Sequence, residues 1–133
     1  MNIEEIEGVG TELGKKLTAA GVGSVESLIE KGGRRLSREK LAEATGISEK
    51  QILEWVNRAD LMRISGIGSE YSDLLEAAGV DSCLELAQRV PANLARKLQE
   101  VNEAKRLVRR VPTEHDVAQW VAAAKSMPKV VEH

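Results

Sequence analysis

A chain of 133 residues, 42% of them hydrophobic and 30% charged, has the composition of one globular domain or two small ones. Its formal charge of −2 neither requires nor forbids a nucleic-acid partner. No apolar run reaches the roughly 18–20 residues needed to cross a bilayer. The acidic start Met1-Asn2-Ile3-Glu4-Glu5 lacks the basic-then-apolar pattern of a secretory signal, and the single cysteine, Cys83, excludes an internal disulfide, so a cytoplasmic location is expected.

In chain order, Leu13, Leu17 and Ala20 recur at helical spacing and are followed by Gly21, where a helix end calls for positive φ. Ser24 is placed to cap a short helix carrying Leu28, and Ser48 with Gln51 forms a capping-box pattern ahead of Ile52, Trp55 and Val56. Tyr71, Leu75 and Ala78 lead to Gly79, and Asp81 or Ser82 caps the segment carrying Leu86. Leu94, Leu98, Val101, Val108 and Val111 predict one long amphipathic helix, and Pro112-Thr113 opens a last one with Val117, Trp120 and Val121. No segment alternates with period two. Because Phe is absent, the core must be built from Leu, Ile, Val and Ala, and there is little aromatic surface on which splayed bases could stack.

These segments form a repeat. Ile6-Glu7-Gly8-Val9-Gly10-Thr11-Glu12 returns as Ile64-Ser65-Gly66-Ile67-Gly68-Ser69-Glu70, and the 58-residue offset holds through Leu17/Leu75, Gly21/Gly79, Ser24/Ser82 and Leu28/Leu86. Trp55-Val56 answers Trp120-Val121 at an offset of 65, so the second copy carries about seven additional residues. The expected units are 1–60 and 61–133. In each Gly-aliphatic-Gly turn the glycines permit positive φ and the aliphatic residue anchors in the core. The turn opens into a helix N-terminus, whose N–H groups suit a phosphate.

With these residues in view, the chain resembles the helix-hairpin-helix family, whose hairpins hold DNA phosphates without reading sequence. The second half is also similar to an uncharacterised bacterial family, domain of unknown function 4332. That resemblance runs through Gly66-Ile67-Gly68, Tyr71, Leu74 to Asp81, Glu85 to Arg89, Glu100 to Glu103, Lys105 to Pro112 and Trp120. The first half is similar to the unit that commonly precedes it. The resemblance implies an all-α fold of two tandem helix-hairpin-helix (SAM-like) units packed together; it implies no activity. DNA-gripping hairpins keep a basic or small polar residue where this chain has Glu12 and Glu70.

Charge then divides the candidates. From Ile64 to Leu86 there are five acids (Glu70, Asp73, Glu76, Asp81, Glu85) and no Lys or Arg, which opposes phosphate binding. Gly66, Ile67 and Gly68 are therefore read as a structural turn. Gly8, Val9, Gly10 and Thr11, with Lys15 and Lys16 on the following helix, remain a candidate phosphate contact. Behind the hairpins lie Lys31, Arg34, Arg35, Arg38 and Lys40, and then Arg89, Arg96, Lys97, Lys105, Arg106, Arg109 and Arg110. Of these, Arg34, Arg35, Arg38, Arg96, Lys97, Lys105, Arg106, Arg109 and Arg110 are candidate phosphate ligands. The competing reading is a solvated face with Arg96–Glu100 and Glu103–Arg106 as ordinary helical pairs.

Cys83 falls on the apolar position of Val25, and Trp55 and Trp120 read as core. His115 and His133 lack partners at metal-ligand spacing, and no catalytic constellation is evident, so neither metal, cofactor nor enzyme activity is expected. The expectation is a non-catalytic protein that contacts DNA or RNA backbone. The alternative is a protein–protein adaptor or self-associating module that joins acidic to basic faces.

Overall fold

The computed structural model describes residues 1–133, an all-α arrangement of helices joined by turns and loops. A 3-10 turn, Ile3–Glu5, precedes α1 (Gly10–Ala19), α2 (Val25–Gly32), α3 (Arg35–Thr45) and α4 (Glu49–Leu61). The second series is α5 (Ser69–Ala77), α6 (Cys83–Ala87), α7 (Pro91–Lys105) and α8 (Glu114–Ser126). The chain divides into two compact units: Met1–Asp60 with Val130–His133, and Leu61–Lys129. The last four residues thus belong with the first unit, a departure from the expected 61–133.

The first unit is held by an aliphatic core around one indole. Ile52, Trp55, Val56 and Ala59 occupy one face of α4 at i, i+3, i+4 and i+7, and all are buried together with Ile3, Ile6, Leu17, Val22 and Leu28. Helix α1 ends where expected: Gly21 has φ +89°, and Val22 N–H donates to Leu17 O (2.8 Å). Ser24 and Ser27 form a reciprocal capping box at α2. At α4 only half of the expected box forms. Gln51 N–H donates to Ser48 Oγ (3.1 Å), while the Gln51 side chain turns to Glu54.

The second unit repeats the plan. Val117, Trp120, Val121 and Ala124 on α8 take the register of the α4 face, against Leu74, Leu75, Leu86, Leu94 and Leu98. Gly79 has φ +92°, and Val80 N–H donates to Leu75 O (2.8 Å). Ser82, rather than Asp81, caps α6, and Cys83 is buried and forms no disulfide. The predicted helix through Val111 does not form. Helix α7 stops at Lys105, and Arg106 adopts φ 51°, ψ 50°, donating its N–H to Asn102 O (2.8 Å). Val108 is nevertheless buried, so its helical spacing came from a folded loop. Thr113 and Asp116 make a full capping box at α8.

Candidate nucleic-acid interface

Both hairpins place their aliphatic residue in a core, since Val9 and Ile67 are buried. They also share their first glycine's conformation, with φ +91° at Gly8 and +94° at Gly66. Each of these glycines faces an indole nitrogen: a Cβ on Gly8 would lie 3.6 Å from Trp55 Nε1, and one on Gly66 would lie 3.2 Å from Trp120 Nε1. Pairing of glycine with tryptophan is thus a property of each repeat.

The hairpins part at the second glycine. Gly10 has φ +67° and follows Val9, which is already in the right-handed helical region. Gly68 has φ −99° and ψ −165°, an extended cap from which α5 starts at Ser69. Neither helix has a side-chain cap, and the first turns carry Glu12 and Glu70. These acids complement the helix dipole and repel phosphate. Thr11, Lys15 and Lys16 of the first hairpin are exposed on α1.

The acids of the second copy are less isolated than their sequence suggests. Glu85 pairs with Arg89 at 3.0 Å, and Arg89 also donates to Gly79 O (3.2 Å). Arg89 therefore braces the turn after α5. Lys31, 58 residues earlier, sits against the matching Gly21, its Nζ 2.5 Å from the position a Cβ would take.

The first basic cluster is divided by the fold. Arg34 and Arg35 are exposed at the start of α3. Arg38 is buried and does not face solvent as a phosphate ligand would. Its guanidinium donates to Gly32 O (2.9 Å), Gly33 O (3.2 Å) and Glu132 O (2.7 Å). Burial is the chief cause lowering its pKa from the ordinary arginine value; Arg35 adds to this, and Glu49 and Glu132 oppose it.

The second basic cluster stays in the open. Arg96, Lys97, Lys105, Arg106, Arg109 and Arg110 are all exposed. The expected pairs Arg96–Glu100 and Glu103–Arg106 do not form. Arg106 has left the helix, so it no longer stands one turn above Glu103.

Main-chain anchors order the stretch from Lys105 to Arg110. The Asn102 amide brackets Val108, donating to its O at 3.0 Å and accepting from its N–H at 2.9 Å. Tyr71, packed on Trp120 with ring centroids 5.3 Å apart, donates its hydroxyl to Arg110 O at 2.8 Å. Asn102 and Tyr71 thus hold the main chain of a loop whose cationic residues are exposed. Sequence spacing gave no signal for either role, because both side chains bond to backbone atoms, which carry no residue identity, those of Val108 for Asn102 and that of the distant Arg110 for Tyr71. No group of three His, Cys, Asp or Glu side chains is arranged to hold a metal ion. No helix is long and apolar enough to cross a membrane.

A duplicated helical scaffold presenting an ordered basic loop is the class of structure defined here. The chain belongs to the family described as domain of unknown function (DUF4332), whose model matches residues 7–127. No curated protein and no solved structure matches it.

Proposed function

We propose that this is a small, non-catalytic protein of tandem helix-hairpin-helix type that holds nucleic-acid backbone without reading sequence. The observation that carries the reading is the loop after α7. Lys105, Arg106, Arg109 and Arg110 are exposed on a main chain fixed by Asn102, Val108 and Tyr71. Cations held in place bind phosphate at a smaller ordering cost than cations on a loose chain. Arg96 and Lys97 on α7 extend the same charged segment, Arg34 and Arg35 form a second exposed contact, and the first hairpin with Lys15 and Lys16 forms a third.

Both indoles are buried and Tyr71 is packed on one of them, so base stacking contributes little and contact falls on phosphates. A cytoplasmic, reducing setting agrees with the single buried thiol of Cys83. The test is a salt titration of binding to duplex DNA, single-stranded DNA and RNA. Affinity should fall steeply with salt, and Arg106→Glu with Arg109→Glu should abolish it. The absence of any shift at low salt would overturn this reading in favour of a protein-binding or self-associating module.

A further inference from the structure

Residues Val130–His133 cross the first unit as an extended strap whose seat is built largely for main chain. Glu132 N–H donates to Gly33 O (2.8 Å), Arg38 Nη2 donates to Glu132 O (2.7 Å), and Arg35 Nη2 donates to His133 O (2.9 Å). His133 Nε2 lies 2.8 Å from Asn57 Oδ1, and Val131 is 3% exposed. Gly33 admits the strap because it has no side chain: a Cβ there would collide with Val130 O. This is recognition of an extended peptide by backbone bonds plus one apolar anchor.

Three features make the seat separable from the strap that fills it. Of Val130–His133 only Val131 is buried, so this segment opens more readily than the core. When it leaves, the buried Arg38 loses an acceptor and the Val131 site loses its occupant, so an empty seat is unfavourable. Upstream, Arg63 donates to Pro128 O (3.0 Å), which leaves the exposed Lys129 as the pivot.

We propose that the strap is exchangeable between copies: the first unit of one chain accepts Val130–His133 of a second chain, giving a reciprocal strap-swapped pair. Each of these strap bonds can form between two chains as it does within one, which is the basis of such an exchange. The residues matched by the family stop at 127, so the strap lies outside the matched region.

The test uses the full chain and an amidated, fluorescently labelled peptide of residues 127–133. Val131→Asp places a charge in the apolar seat and frees the site from its own strap. The peptide should bind this variant saturably. It should bind the unaltered chain at least about ten-fold more weakly, because a tethered competitor is present at high effective concentration. Adding Arg35→Ala to the variant should weaken peptide binding. After warming in concentrated solution, light scattering should detect a dimer of the unaltered chain and none of Val131→Asp. Failure of the peptide to bind a Val131→Asp chain with unchanged circular dichroism would overturn the proposal, as would an unaltered chain that stays monomeric throughout. If Val131→Asp loses helix, Glu132→Pro replaces it, since it removes the strap's N–H donor to Gly33 O and the carboxylate that accepts from Arg35 N–H while leaving the Val131 side chain in place.

Discussion

Trp120 Nε1 stands 3.2 Å from the point where Gly66 would carry a Cβ, and Trp55 stands over Gly8 in the same way at 3.6 Å. Gly66 is therefore fixed twice, by positive φ and by a tight indole contact, whereas at Gly8 the indole stands at ordinary contact distance and the positive φ alone calls for glycine. Gly68 is fixed by neither, having φ −99° and nothing within 4 Å of its Cβ position.

Gly66→Ala should thus destabilise the second unit by about 1–2 kcal/mol from the left-handed conformation alone, with the indole contact added. Gly68→Ala should be close to neutral. Urea unfolding followed by tryptophan fluorescence separates the two, and similar losses at both positions would contradict this account of the turn.

Arg106 is the one non-glycine residue with positive φ. Arg106→Gly should stabilise the chain by about 1 kcal/mol, because glycine enters this helix-ending conformation without strain. The same change removes an exposed cation from the proposed interface, so nucleic-acid affinity should fall while the denaturation midpoint rises.

Tyr71→Phe removes the hydroxyl bond to Arg110 O without changing any charge. Stability should fall by about 1 kcal/mol. Binding should weaken because the basic loop is less ordered, yet the slope of log affinity against log salt should stay the same. Arg109→Ala, by contrast, should reduce that slope by about one. A slope that changes with Tyr71→Phe would mean that the residue does more than position the loop.

Arg38→Met should cost about 2–3 kcal/mol, since it leaves carbonyls of Gly32, Gly33 and Glu132 without their charged donor. Arg34→Ala, at an exposed position, should leave stability nearly unchanged. Equal thermal shifts for the two would show that burial does not separate these neighbouring arginines.

The Asp116 carboxylate is held below its ordinary pKa, first by the Thr113 backbone N–H and then by the Thr113 side chain. A lowered carboxylate pKa contributes stability above the ordinary value, and that contribution is lost as pH falls through the lowered one. Asp116→Asn should therefore flatten the acid limb of the stability profile. Thr113→Ala should cost about 1 kcal/mol at neutral pH. Thermal melts taken from neutral pH down through the carboxylate range test both.

Much of the scaffold was legible in the residues themselves. The 58-residue repeat, the aliphatic faces of α4 and α8, Gly21 and Gly79 at helix ends, and the caps at Ser24 and Thr113 all depend on neighbours within one or two turns. Helix α3 was not legible in this way, because its buried face consists of Arg38 and Leu41 rather than an apolar stripe. Nor was the end of α7, where Val108 and Val111 continued a helical spacing beyond Arg106.

The hairpins' charge was also legible, but the fate of each cation was not. Arg34, Arg35 and Arg38 look alike in sequence, and the fold decides that Arg38 is buried, holding Gly32 O, Gly33 O and Glu132 O of the returning strap, while Arg34 faces solvent. Local pattern determines which segments are helical and which sign of charge they carry, because propensity, capping and periodicity act over a few residues. Tertiary structure decides which cations are free, because a guanidinium's environment depends on carbonyls as distant in the chain as Glu132 is from Arg38.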